Sequence, residues 1–308
     1  MRSDSRTALA RCLVPEMDPF LFGVFRISLG LFLCVYYFAL VRDWQLFYGP
    51  NGLIYPSTGS YPGPTVFAWV GTEEDAWLLW GSGFASAMLL LLGLGRKLPV
   101  IWLWVMNFSI GWRNLGSLNS EEQILAVILF YAMFMPLNGS LALGSRRAPV
   151  TVRPIGLVPL QIHLALVYVI SLPWKFVTDP AWLDGSALYF ANRDMLFARW
   201  PYSDLFSVWG GLFSKLGTVM TLIIEASVPL FVWFSRTRLV VGLAIIGLHV
   251  AIGVFLSGVT FFSFGMAVGL LCFLPSGQLR DWLGGRRSRD RGLEGAPPIS
   301  GAPVSGGI

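Results

Sequence analysis

The chain has 308 residues, of which 55% are hydrophobic and only 13% are charged, and its mean hydropathy is +0.65. Soluble domains carry about 25% charged residues, so this composition excludes an ordinary soluble domain and predicts a protein embedded in a lipid bilayer. The net charge of +5 does not indicate nucleic-acid binding, because most basic residues fall on one side of the predicted topology.

The hydropathy pattern predicts an all-α fold, a multi-pass transmembrane helical bundle of about eight spans, near the ~20 residues that a bilayer requires. In chain order, the predicted spans are 19–41, 76–94, 98–112, 124–137, 155–176, 213–234, 239–257 and 258–274. The first span is predicted to be a retained helix, because no small-residue cleavage site follows it. The predicted organisation is an N-terminal segment (1–18), a transmembrane domain (19–275) and a disordered basic tail (276–308).

Basic residues orient the predicted bundle. Most of the 22 Lys and Arg residues fall in the N-terminal segment, the tail and alternate loops, which the positive-inside rule places in the cytoplasm. Both termini are therefore predicted to be cytoplasmic, as an even number of spans requires, and the host membrane is predicted to be a bacterial plasma membrane. Two long surface loops, 42–75 and 177–211, are predicted to lie on the non-cytoplasmic side and to cover a cavity.

Five ionisable residues lie inside the predicted spans: Arg26, His163, Lys175, Glu225 and His249. Each one costs at least about 2.5 kcal/mol on insertion scales and therefore needs a structural or functional reason. A helix rise of about 1.5 Å per residue places Glu225 and His249 near the midplane, whereas Lys175 lies at the outer end of its span. This estimate of depth predicts that Glu225 pairs with His249 or with Arg26.

Two interpretations of these residues are open. In the first, Lys175 is an interfacial anchor and the mid-depth groups hold helices together. In the second, Lys175 lies at the mouth of a polar chamber, where desolvation makes it a usable base, and His249 and Glu225 bind a polar head group.

The order of several motifs resembles that of one membrane family. The matching residues are Arg26 and Leu29-Gly30; Asp43-Trp44 to Gly52; Arg113-Asn114 to Glu121-Glu122, then Phe134-Met135-Pro136; Gln161, Tyr168, Lys175, Trp182 and Gly185; Glu225; Gly247-Leu248-His249; and Phe261 to Phe273-Leu274-Pro275. In these motifs the chain resembles the HTTM family, the transmembrane module shared by vitamin K-dependent γ-carboxylases and many bacterial proteins. The resemblance covers nearly the whole chain up to Pro275.

The resemblance implies a function for Lys175. In the carboxylases, a lysine at the matching position is the base that deprotonates reduced vitamin K. Oxygen then converts this quinol to a strong base, which removes a γ-proton from a peptide glutamate before CO2 adds. The implied cofactor is a quinone similar to reduced vitamin K. The predicted catalytic residues are Lys175, His249 and Glu225, and the predicted substrate-binding residues are His163, Arg26, Asn114, Gln161 and Tyr168.

Two departures from the family pattern argue against peptide carboxylation by this chain alone. Leu115 follows Asn114, where the carboxylases pair an asparagine with a histidine. A short tail also follows the helices, where the carboxylases carry a large soluble domain that recruits the peptide.

Three functions are therefore compared: a membrane enzyme acting on a quinone or another lipid-soluble substrate, a non-catalytic assembly, maturation or immunity factor, and a transporter of a small solute. The transporter ranks third, because the sequence shows no repeated halves. The expected partners are the lipid bilayer and a separate soluble or membrane protein, with no nucleic acid. No metal is expected, because Cys12, Cys34 and Cys272 are isolated in the sequence.

Overall fold

The computed structural model describes residues 16–53, 64–113, 120–143, 150–200 and 210–283. Within these ranges the secondary structure is helical, and two isolated bridges, Met17 with Val152 and Ala198 with Leu256, are the β contacts. The predicted all-α fold is therefore confirmed. The predicted N-terminal segment up to residue 15, Asn114 and the tail from residue 284 lie outside the described residues.

The helices follow one another in the order expected from hydropathy. They are α1 (Phe20–Leu40), α2 (Trp44–Tyr48), α3 (Glu73–Leu92), α4 (Leu98–Arg113), α5 (Ser120–Ala132), α6 (Leu157–Thr178), α7 (Ala181–Asp184), α8 (Ala187–Ala191), α9 (Gly210–Phe231), α10 (Arg238–Phe255), α11 (Thr260–Leu270) and α12 (Ser276–Leu283). Short 3-10 turns occupy Val41–Asp43, Val66–Trp69 and Leu271–Phe273.

Five helical segments of the described residues are long and apolar enough to cross a membrane: Phe20–Tyr48, α3, α6, α9 and α10. A sixth candidate combines Thr260–Phe273 with α12 and is bent by 107°. Helices α4 and α5 are shorter, and at about 1.5 Å per residue they reach only about 24 and 20 Å, less than the ~30 Å hydrocarbon core. The chain is therefore a helical protein suited to a bilayer, and the count of eight spans remains a prediction.

Helix α1 lies at the centre of the bundle and packs against α3, α11 and α12. Its apolar side chains are buried over most of its length, with Phe22, Phe25 and Leu29 each almost completely enclosed. Near its C-terminal end, the Tyr36 ring lies 5.4 Å from the ring of Phe261 on α11, in an edge-to-face contact. Because α1 is enclosed on several sides, polar groups on it must find partners inside the protein.

Close packing of α1 against α3 depends on Gly30. A Cβ atom at this position would lie 2.6 Å from the backbone N and Cα of Leu91. We therefore expect Gly30→Ala to push the helices apart and to destabilise the protein by about 1–3 kcal/mol, even though alanine favours helices. Thermal unfolding of the detergent-solubilised protein measures this loss.

Gly81 on α3 is the matched control for Gly30. Nothing lies within 4 Å of a Cβ atom built at Gly81. Gly81→Ala should therefore leave the melting temperature unchanged or raise it through helix propensity. Equal melting temperatures for the two variants would show that α1 and α3 do not touch at Gly30.

Both long loops of the predicted topology fold onto helix ends. In the first, Trp44 is fully buried, and its Nε1 donates a hydrogen bond to the backbone oxygen of Ala76 at 2.7 Å. In the second, the backbone N–H of Ser257 donates to the oxygen of Phe197 at 2.8 Å, which holds residues 194–200 against the turn between α10 and α11. The loops therefore cover helix ends at these points, and the side of the membrane on which they lie remains a prediction.

The predicted disordered tail begins with a helix. Residues 276–283 form α12, and Arg280 makes a 2.7 Å ion pair with Asp18, which precedes α1. The composition that indicates disorder begins with the Gly- and Arg-rich stretch at Gly284, after α12, and disorder of that stretch remains a prediction.

Candidate functional site

One face of α6 carries the polar residues of the site. Gln161, Tyr168 and Lys175 are spaced about two helical turns apart and therefore lie on the same side of this helix. Gln161 and Tyr168 are buried, and the side chain of Lys175, in the last helical turn, is 19% exposed. The opposite face is apolar and includes the exposed side chains of Leu166 and Ile170, as expected for contact with lipid.

Lys175 makes an ion pair with Glu225 of α9 through its Nζ and the carboxylate Oε2. The Glu225 side chain is only 8% exposed. The Lys175 Nζ also lies 4.4 Å from the centre of the Trp182 ring, which α7 places over it. The ammonium is therefore held between a carboxylate and an aromatic face, both of which favour its positive charge.

Tyr168 and His249 form the second pair of the site. The Tyr168 hydroxyl and His249 Nε2, on α10, lie 2.8 Å apart in a buried hydrogen bond. His249 is 4% exposed, its ring lies edge-on to that of Phe262, and its Nδ1 has no hydrogen-bond partner among the described residues. When the tyrosine donates to Nε2, the neutral ring carries its proton on Nδ1 as an unused donor; in the other tautomer Nδ1 is an unused acceptor.

The two pairs together form the polar cluster, which consists of Lys175, Glu225, Tyr168 and His249. Glu225 interacts electrostatically with Tyr168, and Lys175 interacts electrostatically with His249. The charges of one pair therefore influence the groups of the other pair. Three helices contribute: α6 supplies Tyr168 and Lys175, α9 supplies Glu225, and α10 supplies His249. The structure therefore brings the three predicted catalytic residues, and one predicted substrate-binding residue, to one place.

The predicted partner of Glu225 is wrong. Glu225 pairs with Lys175 rather than with His249 or Arg26, and the partner of His249 is Tyr168. The estimate of depth failed because it used only the height of each Cα atom. A lysine side chain reaches several ångströms along the helix axis, so a residue at the outer end can meet a carboxylate that lies deeper.

Gln161 and His163 have contacts elsewhere. The Gln161 side-chain amide donates to the backbone oxygen of Cys272 at 2.7 Å, which ties α6 to the turn after α11. His163 is half-buried on another face of α6, with its ring 6.0 Å from that of Tyr131. Neither side chain belongs to the polar cluster, and their role in substrate binding remains a prediction, as does that of Asn114.

Arg26 is fully buried on α1 and hydrogen-bonds only to backbone oxygens among the described residues. Its Nε donates to Leu137 at 3.0 Å, Nη1 to Leu90 at 2.9 Å and also to Leu91, and Nη2 to Leu141 at 2.7 Å. The oxygens of Leu90 and Leu91 lie at the C-terminal end of α3, and those of Leu137 and Leu141 lie in the turns after α5. The contacts of Arg26 are therefore those of a clamp between segments.

Outside the polar cluster, a further cleft lies between α4 and α5. Its volume is about 240 Å³, and it is lined by Asn107, Phe108, Gly111, Trp112, Glu122, Gln123 and Ala126. The available signal was Asn107, an amide in the middle of the apolar stretch 98–112, which needs a reason for its burial just as an ionisable residue does.

No group of three or more His, Cys, Asp and Glu side chains among the described residues is placed to hold a metal ion. Comparison of the chain with protein-family models, with curated proteins and with solved structures gives no match. The class that the structure defines is a helical protein with several helices able to span a membrane and a buried Lys-Glu-Tyr-His cluster.

Proposed function

We propose that this protein is a multi-pass membrane enzyme of the HTTM type that acts on a quinone or another lipid-soluble substrate, with Lys175 as the base. The proposal includes the eight-span topology, with both termini in the cytoplasm of a bacterial cell and the site facing the opposite side. The observation that supports it best is the polar cluster, in which a lysine, a carboxylate, a tyrosine and a histidine meet in an otherwise apolar bundle.

The Lys175–Glu225 pair supplies the base through an internal proton transfer. In this proposal the Glu225 carboxylate, which contacts the Lys175 Nζ directly, accepts a proton from the ammonium and leaves a free amine. The free amine of Lys175 then accepts the proton of a substrate hydroxyl. The products are a substrate oxyanion, the Lys175 ammonium and a protonated Glu225, so the proton count balances and the ammonium stabilises the oxyanion.

Tyr168 and His249 bind the polar head of the substrate in this proposal. The unused Nδ1 of His249 offers one hydrogen bond, and the bond from Nε2 to Tyr168 fixes the orientation of the ring. Trp182 shields the pair from water, which strengthens the electrostatic interactions inside the site. In this proposal Arg26 and Gln161 hold segments together through their hydrogen bonds to backbone oxygens.

The proposal is tested by binding and by chemical protection. The wild-type protein purified in mild detergent should retain a quinone that mass spectrometry identifies in solvent extracts. We expect Lys175→Met and Glu225→Gln to weaken quinone binding about tenfold or more, as loss of one charge-assisted hydrogen bond implies. Lys215→Met, which changes an exposed lysine on α9, is the control and should bind as the wild type does.

Amine labelling gives the second readout. The chain has three lysines, so changing Lys97 and Lys215 to arginine leaves Lys175 as the only side-chain amine. Added quinol should protect Lys175 from labelling. Absence of a retained quinone, together with labelling that quinol does not affect, would refute the enzyme and favour the non-catalytic membrane factor, in which the same pair only joins helices.

A further inference from the structure

A cleft of about 610 Å³ lies at one end of the bundle, between the turn that joins α3 to α4 and the turn after α5. Its walls are residues 95–98 and 135–139. The walls are tied together, because the side-chain amide of Asn138 donates to the backbone oxygen of Gly93, and Arg26 donates to that of Leu137. The protein's own hydrogen bonds therefore set the shape of the cleft, which favours binding because little further order is needed when a ligand enters.

The charges along this cleft are positive. Arg96 and Lys97 line it, and no acidic residue of the described chain does. Both basic side chains are exposed, and neither makes an ion pair with a described residue. Asp18, which precedes α1 at the same end of the bundle, already pairs with Arg280. The cleft therefore offers two positive charges to an anionic ligand.

The backbone at Arg96 adopts a conformation that glycine prefers. Its φ is +56°, in the left-handed region, and the preceding residue, Gly95, has a φ of +76°. A side chain in this region strains the backbone, whereas glycine does not. Stability of the empty protein therefore favours glycine at position 96, and a ligand for the guanidinium accounts for an arginine there.

Exposed apolar side chains lie next to the basic residues. Leu98, which lines the cleft, is 74% exposed, and Ile101, one turn further along α4, is 41% exposed. A ligand with its anionic group in the cleft can therefore lay acyl chains along this surface. In a chain whose helices are suited to a bilayer, a basic cleft at the helix ends beside an apolar surface is suited to a phospholipid rather than to a free anion.

We propose that the cleft between the α3–α4 turn and the turn after α5 binds the phosphate head group of an anionic phospholipid. The Arg96 guanidinium donates paired hydrogen bonds to the phosphate oxygens, and Lys97 adds a second positive charge. A zwitterionic lipid binds more weakly, because its choline group brings a positive charge close to these two residues. None of the cleft residues is part of the polar cluster, so this site is independent of the proposed reaction.

The test measures lipid binding to the full-length protein in detergent. Native mass spectrometry gives the apparent Kd of phosphatidylglycerol and of phosphatidylcholine with the same acyl chains. We expect phosphatidylglycerol to bind about tenfold tighter or more, as two basic residues beside the head group imply, and this preference should shrink at high salt. Equal Kd values would overturn the proposal. A rise in melting temperature with inorganic phosphate as large as with phosphatidylglycerol would overturn it too, since it would show a site for a free anion.

Two variants and one control locate the effect. Arg96→Gly should unfold at the wild-type temperature or higher without lipid, because the φ at this position favours glycine, yet its Kd for phosphatidylglycerol should rise about fivefold. Lys97→Gln should weaken binding similarly, and it decides if Arg96→Gly fails to fold. Arg236→Gln, which changes an exposed arginine between α9 and α10 outside the cleft, should bind as the wild type does. An unchanged Kd in Arg96→Gly, or an equal rise in Arg236→Gln, would refute the site.

Discussion

Replacing Arg26 with leucine is expected to produce the largest loss of stability in this protein. The guanidinium is fully buried and donates to four backbone oxygens, those of Leu90, Leu91, Leu137 and Leu141. Leucine removes every donor and leaves these acceptors without that partner inside the bundle. We expect a loss of about 3–5 kcal/mol in the free energy of unfolding, because each buried acceptor that loses its donor costs about 1–3 kcal/mol and part of this cost is recovered by relaxation. Thermal unfolding in detergent, followed by circular dichroism, measures it.

Lysine at position 26 should recover little of this stability. An ammonium has three donors on one atom, whereas the contacts of Arg26 diverge from three nitrogens toward the end of α3 and the turns after α5.

The guanidinium also requires glycine at position 93, next to it. A Cβ atom at Gly93 would lie 2.9 Å from the Arg26 Cζ, and the φ of +76° at Gly93 also favours glycine.

Arg153 is the control for the Arg26 experiment. It makes a hydrogen-bonded ion pair with Glu16, but the two side chains are 70% and 55% exposed. Arg153→Leu should therefore change stability by less than about 1 kcal/mol. Similar melting temperatures for the two leucine variants would show that the guanidinium of Arg26 does not clamp the segments.

The second large effect is expected at the Lys175–Glu225 pair. Lys175→Met leaves a carboxylate that is mostly buried, and Glu225→Leu leaves an ammonium that has lost its carboxylate partner and keeps the Trp182 ring beside it. Each single change should cost about 3 kcal/mol, because an unpaired charge remains inside the bundle. The double variant should be more stable than the sum of the two losses predicts, by about 1–3 kcal/mol.

A double-mutant cycle of thermal unfolding measurements tests this coupling. Losses that simply add would show that the two side chains do not interact in the folded protein. Lys215→Met combined with Glu225→Leu is the matched control, because Lys215 lies on the same helix as Glu225 and its side chain is exposed. That pair should show no coupling beyond about 0.5 kcal/mol.

The stability cycle and the quinone measurements answer separate questions. A pair that only joins helices gives the coupling without a retained quinone or protection by quinol. A pair that also acts as the base gives the energetic coupling together with a retained quinone and protection by quinol. Lys175→Arg distinguishes them further, since arginine can keep an ion pair with Glu225 but its guanidinium cannot act as the base.

Local patterns in the sequence were sufficient to predict the long helices and which residues are candidates for the site. Each predicted span coincides largely with a helix, because a long apolar run in a bilayer must satisfy its backbone groups internally. The spacing of Gln161, Tyr168 and Lys175 places them on one face of α6, since helical geometry alone determines which residues share a face. The choice of His249 and Glu225 followed from the cost of burying ionisable groups in lipid.

Only the tertiary structure decided which of these groups meet. Lys175 contacts Glu225, and Arg26 reaches oxygens of α3 and of the turns after α5, through contacts that join residues far apart in the chain. Such contacts depend on the tilt of each helix, on the register between neighbouring helices and on the reach of long side chains. Hydropathy and periodicity describe each helix by itself. They therefore specify which residues must be buried, and the packing of helix against helix selects their partners.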